Sequence, residues 1–124
     1  HHAQMYAQRV LEGTGIDADL HFGHSGPDAP IDPATKRNIF LILKEALNNA
    51  LKYAQASRIR IHLTTSTNGY HLTVADNGSG FDPEMVGHDG NGLRNMRVRA
   101  ERLGGELSIV QLVPHGSQLD LHIN

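Results

Sequence analysis

Residues 58–75 constrain the fold of this chain more than any other stretch. Arg58-Ile59-Arg60-Ile61-His62-Leu63 alternates polar and apolar side chains, the period-two pattern of a strand with one wet and one dry face. Asn68-Gly69 follows, a dipeptide suited to the tight turns that join antiparallel strands. Tyr70 to Ala75 then returns as the partner strand, with Leu72 and Val74 facing inward. A hairpin with one dry face has to be covered by a second layer.

The flanking segments provide that layer. Asp32 as N-cap and Pro33 at the first helical position predict a helix running to about Ala54. Phe40, Leu43, Leu47, Ala50, Leu51 and Ala54 lie on one side of it at helical spacing. A second helix is expected from about Gly92 to Leu103, with Leu93, Met96, Ala100 and Leu103 on one face and Gly104-Gly105 stopping it. Leu107–Val113 and Gln118–Ile123 read as strands joined by a turn at Pro114-His115-Gly116. At the start, Ala3–Glu12 reads as a short helix with Met5, Val10 and Leu11 as its apolar contributors. Ile16–Phe22 is a weak strand, and His24–Ile31 a loop. The expectation is an α+β fold: two layers, a mixed but mostly antiparallel sheet of about five strands, and about three helices packed on it.

With 124 residues the chain fits one domain, and one of that size needs no disulfide or structural metal. The absence of cysteine fits a reducing compartment. A net charge of -2 speaks against nucleic acid as partner, and no run of about 18 apolar residues exists to span a membrane. His1-His2 reads as an affinity-tag remnant, which leaves residues 3–124 as the expected domain.

Three places carry residues suited to a phosphate ligand. On the long helix, Glu45, Asn49 and Lys52 fall within about 60° of one another, opposite the Leu43/Leu47/Ala54 stripe. A carboxylate, an amide oxygen and an ammonium suit a metal-bound polyphosphate, although the same residues also describe a solvated helix face. After the Leu72/Val74 strand comes Asp76-Asn77-Gly78-Ser79-Gly80-Phe81. A carboxylate at a strand end can accept from the exocyclic amine of adenine, and Gly78 and Gly80 allow the backbone to approach a ring closely. A plain turn is the competing reading, weakened because Phe81-Asp82-Pro83-Glu84 is no returning strand. Third, Gly90-Asn91-Gly92 opens the second helix, whose free N–H groups and positive dipole end attract phosphate. It is neither a dinucleotide fingerprint nor a Walker loop. Arg94, Arg97, Arg99 and Arg102 on that helix suit a solvated face better than a nucleic-acid surface. His21 and His24 have loose metal-like spacing without a third ligand.

The order of the three is more specific than any one of them. Glu-x-x-x-Asn on a helix, Asp-x-Gly-x-Gly after a strand and Gly-x-Gly into a helix resemble the N, G1 and G2 boxes of the GHKL ATPase superfamily, which implies a Bergerat-type α/β sandwich. Leu43–Lys52, Asp76–Asp82 and Gly92–Ala100 look more narrowly like bacterial sensor histidine kinases of the NarX/DesK/LiaS type. The resemblance covers about residues 32–124 and implies an ATP-binding catalytic domain using ATP and Mg²⁺.

At matching positions the resemblance makes Asn49 the Mg²⁺ ligand and Glu45 the acidic residue that assists phosphotransfer, with Lys52 beside the phosphates. It puts Asp76 on the adenine amine, helped by Ser117 through a water, with Gly78 and Gly80 shaping that wall. Gly90, Gly92 and Leu93 would line the nucleotide where the lid, residues 82–89, meets the helix. Tyr53 stands where relatives usually have His. The acceptor would be a histidine on a separate dimerisation domain, with a response regulator downstream, in a cytoplasmic setting even if the parent is membrane-anchored. Other members of the superfamily, such as an anti-sigma serine kinase or an ATP-driven clamp, and a nucleotide-binding interaction module are the alternatives.

Overall fold

A computed structural model describes residues 2–25, 33–51, 56–66, 69–78, 92–111 and 116–123. In chain order the elements are α1 (His2–Leu11), β1 (Asp17–Ser25), α2 (Pro33–Asn49), β2 (Arg58–Ser66), β3 (Gly69–Asp76), α3 (Gly92–Arg102), β4 (Glu106–Gln111) and β5 (Ser117–Ile123). The five strands form one sheet in the order β1-β2-β3-β5-β4. β1 and β2 run parallel, joined by a crossover that contains α2, and every other pairing is antiparallel. The expected α+β two-layer architecture is the one observed.

Alternation decides which side of each strand is dry. Ile59 and Ile61 of β2, Leu72 and Val74 of β3, and Leu119, Leu121 and Ile123 of β5 all lie on one face and are buried. α2 covers that face with Ile39, Ile42, Leu43, Ala46 and Leu47, and α3 adds Met96 and Ala100. α1 contributes Ala7 and Leu11, while Met5, expected to point inward, is 59% exposed. Its Tyr6 meets Phe40 of α2 edge to face at 5.4 Å, with the Lys44 ammonium over the same ring. On the other flank Arg99 of α3 donates to the side-chain oxygen of Asn38 at 3.1 Å.

α2 has neighbours on both flanks as well as the sheet beneath, so its buried arc is wider than the single stripe read from the sequence. Measured at 100° per residue, it runs about 160° from Asn49 round to Leu47 and takes in Ile42 and Ala46. Beyond Asn49 the helix widens into a π-type turn at residues 50–51. The expected cap at Asp32, the helix end at Ala54 and the turn residue Asn68 lie outside the described residues. The stop signal of α3 holds: Gly104 takes φ 68° and donates to Glu101 O, while Gly105 N–H reaches back to Ala100 O at 2.9 Å. β1 and β2 run on to Ser25 and Ser66, past the ends of their apolar patterns, because backbone pairing from strand to strand continues there.

The other sheet face carries the polar half of the alternation. Arg58 and Arg60 pair with Asp17 and Asp19 across the β1–β2 edge, but all four side chains are more than half exposed, so these pairs contribute little. The β3–β5 pair is tighter. Asp120 accepts from Thr73 Oγ1 and Gln118 Nε2, both at 2.8 Å, and lies 3.1 Å from His71 Nε2. Burial alone would raise the Asp120 carboxyl, and the donors from Gln118, Thr73 and His71 outweigh it and hold it below the usual aspartate range.

Two outcomes are expected. Ile61→Ala, at a position with no solvent exposure, should cost about 2–5 kcal/mol in urea unfolding. Because the folded carboxyl of Asp120 is depressed, its stabilising contribution is complete above the unfolded value of about 3.9 and is lost as pH falls through the lower folded value. The stability gap between wild type and Asp120→Asn should therefore narrow as urea titrations move from pH 5 toward pH 3, and a constant gap would contradict the assignment.

Candidate functional site

The dry face of the sheet does not end in solid packing. At the ends of β3 and β5, beneath α2 and α3, a cleft is lined by Ala46, Asn49, Ala50, Val74, Asp76, Met96, Ile109, Ser117 and Leu119. Ala46 and Ala50 keep the helix wall shallow, and Val74, Met96, Ile109 and Leu119 make the rest of the wall apolar. That is a surface for a flat ring, with few polar groups to orient it.

The polar groups are placed by strand register. Asp76 is the last residue of β3 and falls on the dry face, opposite Ile59 on one side and Ser117 on the other. It is only 7% exposed. A buried carboxylate needs donors, and the described residues supply two: Ser117 Oγ donates to Oδ2 at 2.8 Å, and the Gly78 amide donates to Oδ1 at 2.9 Å. Those bonds fix the plane of the carboxylate and leave further lone pairs toward the cleft.

Asn49 faces the same space from the helix. It is 5% exposed, and its amide nitrogen has no hydrogen-bond partner among the described residues. A buried amide left unpaired is destabilising unless something outside the fold satisfies it. The expectation that Asn49 lies opposite the core stripe is corrected here: it sits at the edge of the buried arc, next to Ile42 and Ala46, because the cleft extends the interior around that side of α2. Glu45, one turn earlier, is half-buried just beyond that edge.

The structure thus brings Asn49, Asp76, Gly78 and Ser117 together, with Glu45 adjoining. Lys52, Gly80, Gly90 and the side chain of Leu93 lie outside the described residues, as do the segment 82–89 and Tyr53, while Gly92 begins α3. Of the loosely spaced His21 and His24, His21 lies on the polar sheet face with its ring 5.5 Å from His62, and no group of three or more metal-binding side chains occurs among the described residues.

One feature of the cleft escaped the sequence. Its apolar walls carry the same periodicity as the core, so nothing in the pattern separates them from it. Gly116, expected in the turn before the last strand, has φ 111°, and a Cβ there would overlap the Asp76 carbonyl oxygen and lie 3.3 Å from Asn77 Cα. Only glycine lets β5 begin this close to the end of β3.

An α/β sandwich whose sheet ends in an apolar cleft with one buried carboxylate is the architecture of a nucleotide-binding ATPase domain. The chain belongs to the family of histidine kinase-, DNA gyrase B- and HSP90-like ATPases, whose profile matches residues 34–124. It is 29% identical over 96 residues to the sensor histidine kinase LiaS of Bacillus subtilis, covering 77% of this chain and 27% of that protein. It is 28% identical over 98 residues to the sensor protein VraS of Staphylococcus epidermidis, covering 79% and 28%. The chain therefore spans just over a quarter of the length of these relatives. Among solved structures it is similar to the ATP-binding domain of PrrB from Mycobacterium tuberculosis, with TM-score 0.69 and 25% identity over 98% of this chain and 88% of that one. The histidine kinase AdeS of Acinetobacter baumannii shares the fold at TM-score 0.73 and 18% identity, covering 99% and 61%. Both alignments include α1 and β1, which precede the family match and are built into the core and the sheet.

Gly116→Ala forces a side chain into the Asp76 carbonyl at a strained φ. A loss of about 1–3 kcal/mol is expected in chemical denaturation. A change within about 0.5 kcal/mol, the range of neutral surface substitutions, would contradict this close packing.

Proposed function

We propose that this chain is the ATP-holding catalytic domain of a sensor histidine kinase, donating the γ-phosphoryl group of ATP to a histidine on a separate dimerisation domain. The observation that carries the reading is the buried Asp76 carboxylate, oriented by Ser117 and Gly78 at the end of an apolar cleft. A fixed carboxylate of this kind accepts from the 6-amino group of adenine, at the position where guanine carries a carbonyl oxygen that repels it. Val74, Met96, Ile109 and Leu119 would enclose the ring. Gly78 and Gly80 would keep the backbone close to it, and Ser117 would reach it through a water.

The triphosphate would run from the cleft toward α3. Gly90 and Gly92 with Leu93 would meet it at the positive end of that helix, and Lys52 would meet its charge. Mg²⁺ fits the donors present. The Asn49 amide nitrogen has no partner among the described residues, the oxygen of the same amide is a hard donor, and the Glu45 carboxylate stands one turn away. Asn49 would hold the ion, which when bound supplies charge neutralisation at the phosphates. Glu45 would accept a hydrogen bond from the ring N–H of the acceptor imidazole while the other, unprotonated ring nitrogen bonds to phosphorus and the bond to ADP breaks. Positioning and charge neutralisation then do most of the catalysis.

The likeness of the sequence to sensor kinases favours this over a serine kinase or an ATP-driven clamp of the same family. A response regulator would take the phosphoryl group onward from the acceptor domain. No helix among the described residues is long and apolar enough to cross a membrane. The domain itself would comprise residues 3–124.

Calorimetry with Mg-ADP and Mg-GDP tests the nucleotide reading. Mg-ADP should bind and Mg-GDP should bind at least about tenfold more weakly, and Asp76→Asn should lose about tenfold or more in Mg-ADP affinity. An Asp76→Asn variant that binds Mg-ADP like wild type would sink the adenine assignment. With labelled ATP the chain alone should form no stable phosphohistidine, and adding a dimerisation domain from a sensor kinase should produce it there.

A further inference from the structure

Asn77 lies between the carboxylate of Asp76 and the Gly78 amide that orients it, and it points the other way, toward β2. Its side-chain oxygen accepts from the Ser57 amide at 3.0 Å and the Arg58 amide at 2.8 Å, and its side-chain nitrogen donates to Ser57 Oγ at 3.0 Å. Its backbone N–H donates to Arg58 O at 3.2 Å, and Ser57 O in turn accepts from the Asp17 amide at 2.9 Å. One side chain thus ties the end of β3 to the starts of β2 and β1. On the opposite side Gly116 runs close by: a Cβ added to it would stand 3.3 Å from Asn77 Cα.

The consequence is local and chemical. The bond from the Gly78 amide to Asp76 Oδ1 spans two residues, so its direction is set by the backbone angles of Asn77. Held to β2 by these bonds, with the Gly116 backbone close on the other side, that backbone has little freedom. β3 ends at Asp76, so the side-chain bonds of Asn77 add to the one main-chain bond that still links it to β2.

We infer that Asn77 is the positioning residue that sets adenine selectivity, by holding the residue 76–78 turn so that the Asp76 carboxylate keeps one orientation in the cleft. This rests on the nucleotide reading above and adds to it: Asn77 touches no nucleotide, yet discrimination between purines depends on it. A residue that only kept the sheet from fraying would lower stability, or weaken every nucleotide alike. One that aims the carboxylate changes the ratio of affinities.

The test is the ratio of Mg-GDP to Mg-ADP dissociation constants for the full chain by calorimetry, read beside the melting temperature. Asn77→Ala should shrink the wild-type ratio about fivefold or more. Asn77→Asp should restore it to within about twofold, because a carboxylate accepts from both amides and the Ser57 hydroxyl can turn to donate to it. Its added charge repels both diphosphates equally and cancels in the ratio. If Asn77→Ala does not fold at the working temperature, Asn77→Ser is read instead, its hydroxyl being too short to bridge both amides. A lowered melting temperature with an unchanged ratio, in whichever of the two folds, would overturn the inference and leave the nucleotide reading intact. A wild-type chain that binds neither diphosphate would overturn both.

Discussion

A carboxylate that a β-strand carries into the interior has to be held there by donors, and the arrangement around Asp76 follows from that requirement. Register places it on the dry face at the last position of β3, where a hydrophobe would otherwise complete the core. Ser117 meets one oxygen from the first position of β5, and the Gly78 amide meets the other from the turn beyond. Gly116 has to be glycine for β5 to begin close enough for its neighbour to make that bond. A conformation that costs about 1–3 kcal/mol for other residues, and a polar atom inside the core, mark this end of the sheet as kept for something other than stability.

The rest of the fold supports that end. The wide buried arc of α2 belongs to the same design: α1 and α3 flank it and the sheet lies beneath it, so Asn49 is taken out of water and turned to the cleft. The two faces of the sheet divide the work. The dry face carries the core and, continuous with it, the cleft. The polar face carries exposed charge pairs across β1–β2 and the Asp120 cluster, of which the cluster stabilises the β3–β5 seam without reaching the site.

Much of this was legible in the residues because the signals are local. The alternation of Arg58–Leu63, the paired strand at Leu72 and Val74, Pro33 at a helix start and Gly104-Gly105 at a helix end each act within a few residues, and the structure keeps all of them. Asp76 and Asn49 were legible as candidates from residue type and spacing. What spacing could not give was depth. Glu45 and Asn49 are neighbours on the helical wheel, yet one is half-buried and the other almost wholly so, because only tertiary packing decides where the buried arc stops. Met5 failed for the same reason: in a short helix Ala7 and Leu11 took the inward side. Gly116 and the role of Asn77 depend on contacts between segments about 20 to 40 residues apart, which no local pattern encodes.

The central claim is that the Asp76–Asn49 cleft holds an adenine nucleotide with its base against the carboxylate. A crystal structure of the chain with Mg²⁺ and a non-hydrolysable ATP analogue addresses it directly. The account predicts the exocyclic amine of adenine within hydrogen-bond distance of the Asp76 carboxylate, and the Asn49 amide oxygen in the coordination shell of the ion. An analogue bound elsewhere, or seated in the cleft with its base turned away from Asp76, would contradict it.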